Sequence, residues 1–394
     1  MCKLFIINNQ KLKKYLMNKL IIFSSIIIIF ISYLVYNEHS VMETFKTVDK
    51  INSSKNQKCK VYPSENAIET FLPITDELFI GGSTNYKTRF YNFRYLDHDY
   101  EKGSLIIFNK TSEKIENIKI KNFPKNVPIS PDGLDYYNGK LYIINHAFLE
   151  GERVEVIKVS FNPLELTYEK AFKFDDSFFG KFNSISVVND NIFYISEYLI
   201  LPLPLSKDIS KFRLLSYKYI DRIKRAFKLR LTYLYKFDMN KNKLEVVKGS
   251  NGMDNNGVSY DRQNKILYLA QTLDRNIKAF QLDNKGNVVK FIKDISTGYA
   301  LDNLYFDNKN KLLFAAIMGK VKNNYGILDP SQGITKEQVF GGLLTYDFKK
   351  SDKPVYTFLQ NDFMLEISHG MIIGDNIYLS SFYDSGILKC EKLK

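Results

Sequence analysis

The sequence predicts an all-β protein, a six-bladed β-propeller with an N-terminal transmembrane helix and an amphipathic helix inserted after the third blade's inner strands. Three observations predict it. Tyr (27) and Phe (30) are abundant and Trp is absent, and together with plentiful Ile and Val this composition favours strands over helices. One short unit recurs six times: a polar residue, a small or turn residue, an apolar residue, and then, nine to twelve residues after the polar one, an apolar–aromatic pair. Most copies are followed by two further alternating strands, so that each unit supplies the four strands of a propeller blade.

In chain order, the first element is a basic tail, residues 1–19, carrying five Lys and no acid. Residues 20–36, LIIFSSIIIIFISYLVY, hold no charge and reach the short end of a membrane span. Basic residues before this stretch and Glu38 and Glu43 after it place the N-terminus in the cytosol and the rest across the membrane, as a type II signal anchor. The alternative, a cleaved signal peptide, calls for a shorter apolar stretch followed by a small-residue cleavage site. Residues 37–58 read as a linker, and residues 59–394 as the propeller.

The formal net charge is +13, but the tail contributes +5 and residues 207–230, with nine Lys/Arg against two Asp, another +7. The remainder is nearly neutral, which argues against a nucleic-acid groove.

The six copies run from Glu69 to Phe79, Asp132 to Tyr142, Asn183 to Tyr194, Asn256 to Tyr268, Asn303 to Phe314 and His369 to Tyr378. Each reads as a hairpin, with turn residues such as Asn138-Gly139, Asp190-Asn191 and Asn308-Lys309-Asn310. The following pairs include SLIIFNKTSEKIENIKI, VEVIKVSFNPLELTYEKAF and NIKAFQLDNKGNVVKFIK. Of three cysteines, Cys2 precedes the anchor, while Cys59 and Cys390 bracket the folded part. A Cys59–Cys390 disulfide would close the ring; two unrelated thiols are the other reading. Asn52 and Asn109 stand in glycosylation triplets if the compartment is secretory.

Inner strands of a propeller start on one face beside the axis, so Glu69, Asp132, Asn183, Asn256, Asn303 with Asp302, and His369 are expected to converge, with His369 facing the channel. Amide and carboxylate oxygens without Cys suit a hard cation, calcium before zinc or copper. Taken singly, such residues also cap turns. Asp132 and His146 flank the Asn138-Gly139 hairpin as near cross-strand neighbours. A carboxylate beside an imidazole at a cation site is material for general-base chemistry, although a single His at a strand end is commonly structural.

Taken in order, Cys59, Glu69 with LPITDELFIGGS, PDGLDYYNGKLYIINH, GKFNSISVVNDNIFYIS, DNNGVSYDRQNKILYLA, LDNLYFDNKNKLLFAA and the terminal Cys390-Glu-Lys-Leu resemble the calcium-dependent paraoxonase/arylesterase family. The resemblance runs from about Cys59 to the C-terminus. It implies a propeller closed by a disulfide, with a central calcium that polarises ester or lactone carbonyls. It places the catalytic calcium on Glu69, Asn183, Asn256, Asp302 and Asn303. The acids of the family's second, structural calcium fall on Thr70 and Ser184, which implies that this ion is lost. The family's histidine pair falls on Asp132 and His146, so the first imidazole is replaced by a carboxylate.

The resemblance also implies a lipid-facing helix where ISKFRLLSYKYIDRIKRAFKLR stands, with Ile209, Phe212, Leu215, Tyr219, Ile223 and Phe227 at three- and four-residue steps. The other reading is a solvated basic helix packed on the propeller. The function expected is a membrane-anchored, calcium-dependent hydrolase of small esters or lactones, in contact with a lipid surface, with Asp132 and His146 as its catalytic pair. The alternatives are a non-catalytic, strictosidine-synthase-like propeller with structural calcium and a gluconolactonase-like hydrolase. Met318 to Gln338 is the stretch expected to shape the channel mouth.

Overall fold

A computed structural model of the chain describes residues 19, 22–36, 58–84, 103–147, 151–174, 181–200, 220, 223–224, 226–318, 341–360, 363–364 and 366–392. Asn52, the linker over 37–57, most of 207–230 and all of the expected channel-mouth stretch except Met318 lie outside the described residues. Residues 22–36 are helical with exposed apolar side chains. Among the described residues no helix is long and apolar enough to cross a membrane, so the span over 20–36 rests on its sequence.

The rest is built from strands. The first are Cys59–Pro73 (β1), Leu78–Thr84 (β2), Ser104–Asn109 (β3), Lys114–Ile118 (β4) and Ile120–Lys121 (β5). Next come Pro131–Tyr137 (β6), Lys140–His146 (β7), Glu152–Ser160 (β8), Glu165–Lys173 (β9), Lys181–Asn189 (β10) and Ile192–Leu199 (β11). Leu234–Asp238 (β12), Lys243–Val246 (β13), Asn255–Asp261 (β14), Ile266–Gln271 (β15), Asn276–Leu282 (β16) and Val288–Ser296 (β17) follow. The last are Leu301–Asp307 (β18), Leu312–Ile317 (β19), Gly341–Tyr346 (β20), Tyr356–Gln360 (β21), His369–Ile373 (β22), Asn376–Ser380 (β23) and Ser385–Glu391 (β24).

Every one of the six hairpins read from the sequence is an antiparallel pair: β1/β2, β6/β7, β10/β11, β14/β15, β18/β19 and β22/β23. At Asn138-Gly139 both residues have positive φ, +50° and +74°, the turn that matches strand twist and that an Asn-Gly pair adopts with little strain. Other turns are closed by aspartates: Asp307 Oδ1 accepts the N–H groups of Lys309 and Asn310 at 2.8 and 3.1 Å, and Asp261 does the same for Gln263 and Asn264.

The strands assemble into a propeller-like arrangement of sheets, three with consecutive four-strand order (β10–β13, β14–β17, β18–β21), one ordered β5-β9-β8-β7-β6 and one ordered β22-β23-β24-β1-β2-β3-β4. Strands β1, β6, β10, β14, β18 and β22 touch in that cyclic order and return to β1. The seven-stranded sheet exists because β1 works twice. Its first half pairs with β24, Cys59 opposite Cys390 and Tyr62 opposite Ile387; its second half pairs with β2, Ala67 opposite Thr84 and Pro73 opposite Phe79.

Apolar clusters fill the spaces between consecutive sheets. Phe172, Phe193 and Phe237 meet between the β6–β9 and β10–β13 sheets, Phe193 stacking on Phe237 at 4.8 Å and Phe172 meeting it edge-on at 5.0 Å. Such pairs add about 0.5–1.5 kcal/mol each beyond their burial, which explains the use made of Phe and Tyr.

The ends are joined covalently: Cys59 and Cys390 form a disulfide across a sequence separation of 331, with Cys390 fully buried. The joint change Cys59→Ala and Cys390→Ala is expected to lower unfolding free energy by about 2–5 kcal/mol while the fold persists through the β1–β24 ladder. Paired denaturant melts under non-reducing conditions check this; equal midpoints would show that the backbone ladder alone closes the ring.

Candidate active site

Five of the six inner strands break register, and the breaks fall on the residues singled out by the repeat. They lie between Ile68 and Thr70, Pro131 and Leu134, Phe182 and Ile185, Asn255 and Val258, and Leu301 and Leu304. Glu69, Asp132, Asn183, Asn256, and Asp302 with Asn303 sit within them. A bulge takes a residue out of the ladder and re-aims its side chain. The small residue next in the repeat also has a reason. A β-carbon on Gly133 would stand 2.4 Å from the Asn183 carbonyl, and one on Gly257 would stand 2.2 Å from the Leu304 nitrogen. Neighbouring inner strands approach too closely there for any side chain.

All six bulge residues are buried, at 2–7% exposure. The Oδ1 atoms of Asn183, Asn256 and Asn303 have no hydrogen-bond partner among the described residues. The amides of Asn256 and Asn303 donate to the Asp302 carboxylate, Asn303 at 3.4 Å. Burial holds the Asp302 carboxyl well above the usual carboxylate range, and the charges of Glu69, Asp132 and Glu366 push it further. The charge of acids on other inner strands, Glu69 on β1 and Asp132 on β6, thus bears on Asp302. No three His, Cys, Asp or Glu side chains form a ligand group of their own among the described residues, so a cation here would also depend on the amide oxygens.

These donors fit calcium. Unpaired amide oxygens and buried carboxylates are hard ligands, and each amide oxygen left without a partner costs about 1–3 kcal/mol. Thr70 and Ser184, at the positions implied for a second ion, carry no charge; the Ser184 hydroxyl accepts the Val258 N–H at 3.1 Å.

Asp132 and His146 meet. The His146 Nε2 hydrogen-bonds Asp132 Oδ2, and its Nδ1 stands 2.8 Å from both carboxylate oxygens of Glu152, the residue directly opposite it on β8. A ring between two carboxylates donates to both only when both nitrogens carry a proton. Lys181 Nζ lies 3.6 Å from the same Asp132 oxygen. Glu152, Lys181 and Glu366 were not among the residues picked out from the sequence.

His369 differs from the other five. It pairs regularly with Ser380, and its ring packs edge-on to Phe71 at 5.1 Å and near Tyr305 at 6.1 Å. It lines a channel pocket with Thr70, Asp135, Ser184, Ser186 and Asn303. Burial pushes its imidazole down to about 3. Asn109, at the end of β3, caps its own turn, its Oδ1 accepting the Thr111 and Ser112 N–H groups. Within the basic insertion, residues 220, 223, 224 and 226 are helical, and Ile220, Ile223 and Phe227 are exposed as the apolar stripe requires. Lys224 is not on the polar surface: it is buried and its ammonium meets Asp254.

An all-β, propeller-like protein with buried acids and amides on its inner strands defines the class. The sequence matches the arylesterase family model over residues 100–322, more than half its length, and the chain belongs to that family. No curated protein sequence matches it. Among solved structures it is similar to a luciferin-regenerating enzyme at 9% identity and a TM-score of 0.51, covering 86% of this chain and 96% of that one. It is also similar to a gluconolactonase from Xanthomonas campestris, at 9% identity and 0.49, covering 86% and 90%. These likenesses concern the fold.

The state of His369 gives a pH prediction. In the unfolded chain this imidazole takes a proton below about 6.5, in the folded protein only below about 3. The unfolded state thus binds the extra proton between those values, and stability falls on acidification through that window by about 1.4 kcal/mol per pH unit. His369→Leu should flatten this component of the stability profile between pH 6.5 and 3; an unchanged slope would place the imidazole in contact with water.

Proposed function

We propose that the protein is a membrane-tethered hydrolase of small esters or lactones that uses one calcium ion at the centre of a six-bladed propeller. The observation that carries this reading is the set of partnerless amide oxygens of Asn183, Asn256 and Asn303 beside a cluster of buried acids, in a member of the arylesterase family. The count of six takes the seven-stranded sheet as two blades that share β1. The anchor is residues 20–36, with the folded part lumenal or extracellular, Asn52 and Asn109 as glycosylation sites and the 207–230 segment on lipid. Nucleic acid has no role in it.

In this reading Glu69, Asn183, Asn256, Asp302 and Asn303 hold the ion, and the neutral Thr70 and Ser184 leave no second one. Bound calcium would supply Lewis acidity toward a carbonyl oxygen. Asp132 takes a proton from the attacking water. His146 holds the carboxylate through Oδ2 and is itself held through Nδ1 by Glu152, which fixes the ring. Lys181 stands 3.6 Å from the same Asp132 oxygen. The other reading, a calcium-binding propeller without activity, is favoured by that same engagement of Asp132 by two partners.

A panel of aryl esters and aliphatic lactones, assayed with calcium and with chelator, separates the two. Chelator-sensitive turnover is expected. Asp132→Asn keeps shape but removes base strength and should lower turnover by about two to four powers of ten, with calcium affinity little changed. His146→Gln should cost less. Full activity in Asp132→Asn would remove it as the base; loss of calcium and activity together would make it a ligand.

A further inference from the structure

The channel pocket lined by His369 is small. The centre of a water molecule has about 20 Å³ of room in it, enough for one water and too little for an ester or lactone. It adjoins the residues proposed for the cation: Asn303 lines it, as do Thr70 and Ser184, which directly follow Glu69 and Asn183. Besides Asn303 Oδ1, two polar atoms of lining residues have no hydrogen-bond partner among the described residues, Thr70 Oγ1 and His369 Nδ1. Their residues are only 4% and 2% exposed, and buried polar atoms are costly to leave unpaired.

The chemistry of the lining selects the occupant. Its single carboxylate, Asp135, is already engaged on both oxygens: Oδ2 accepts the Val187 N–H at 2.6 Å and Oδ1 the Tyr136 N–H at 2.8 Å. The hydroxyls of Ser184 and Ser259 accept the N–H groups of Val258 and Phe306 at 3.1 and 2.8 Å. Buried against Phe71 and Tyr305, the His369 imidazole is held neutral, with one donor and one acceptor nitrogen. An anion would meet the Asp135 carboxylate and no cationic side chain in this lining. Calcium takes about 6–8 oxygen ligands, and the acids implied for a second ion are here the neutral Thr70 and Ser184. Water both donates and accepts, as a hydroxyl and a neutral imidazole require.

We propose that this pocket binds one ordered water that bridges Thr70 Oγ1 on β1 and His369 Nδ1 on β22. The bridge links the first and last inner strands beside the axis, where the ring closes. Neither atom belongs to the proposed ligand set, so this site stands whether or not calcium binds.

The test is a pair of crystal structures of the full-length chain, in calcium and in chelator, with data also collected at a long wavelength where calcium scatters anomalously. A peak within about 2.7–3.2 Å of both atoms, without anomalous signal and present in both structures, is expected. In thermal melts Thr70→Val and His369→Leu should each lower Tm by about 2 °C or more, and together by clearly less than the sum, because one water serves both. Thr70→Ser, which keeps the hydroxyl, should leave Tm nearly unchanged. An anomalous peak in the pocket that chelator removes would overturn the proposal in favour of a cation; no peak, or a peak bonded to only one of the two atoms, would also overturn it. If the variants fail to fold, the wild-type structures decide. The water in place with no cation at the Asn183, Asn256 and Asn303 oxygens would support this site and overturn the cation reading alone.

Discussion

A β-ladder satisfies backbone groups and points side chains alternately to its two faces, and in five inner strands of this protein the ladder gives way at one place. The bulges at Glu69, Asp132, Asn183, Asn256 and Asp302–Asn303 are the constraint on which the site depends. Each sacrifices regular pairing, and three leave a buried amide oxygen unpaired, at about 1–3 kcal/mol apiece. Buried acids at the same centre add mutual repulsion. A fold tolerates this when the surrounding structure over-determines it. Here the apolar clusters between sheets, the double use of β1 and the Cys59–Cys390 bridge do so.

The electrostatics divide the centre into two parts. Around Asp302 buried acids and amide groups gather, the donors that the proposed cation would use. Around Asp132 the carboxylate is engaged by His146 and lies near Lys181, with Glu152 behind the ring. The two parts therefore suit different work, ligation in one and proton handling in the other. Where the resemblance implied two histidines, this chain has a carboxylate, an imidazole and a second carboxylate in a row.

Much of this was legible in the sequence. The repeat located all six inner hairpins, and the alternating segments located their outer strands, because strand period and Asn-Gly or Asx turns are local signals. Asp132 and His146 could be paired by counting back from Asn138-Gly139. Glu152 was within reach of the same arithmetic, since it faces His146 across the next hairpin. Lys181 and Glu366 were not, because their placement depends on contacts between sheets: Lys181 reaches across from β10 to β6, and Glu366 is held through Ser368 against residues about 65 and 300 positions away. The double pairing of β1 and the burial of Lys224 are long-range in the same sense. The bulges left only a faint trace, the glycine or serine that follows Asp132, Asn183 and Asn256.

The central claim is that the amide oxygens of the bulges converge on a calcium ion. A crystal structure determined in saturating calcium tests it most directly. The account predicts one strong peak within about 2.3–2.6 Å of the Oδ1 atoms of Asn183, Asn256 and Asn303, with carboxylate oxygens completing its shell. Those oxygens bonded only to water under the same conditions would contradict it.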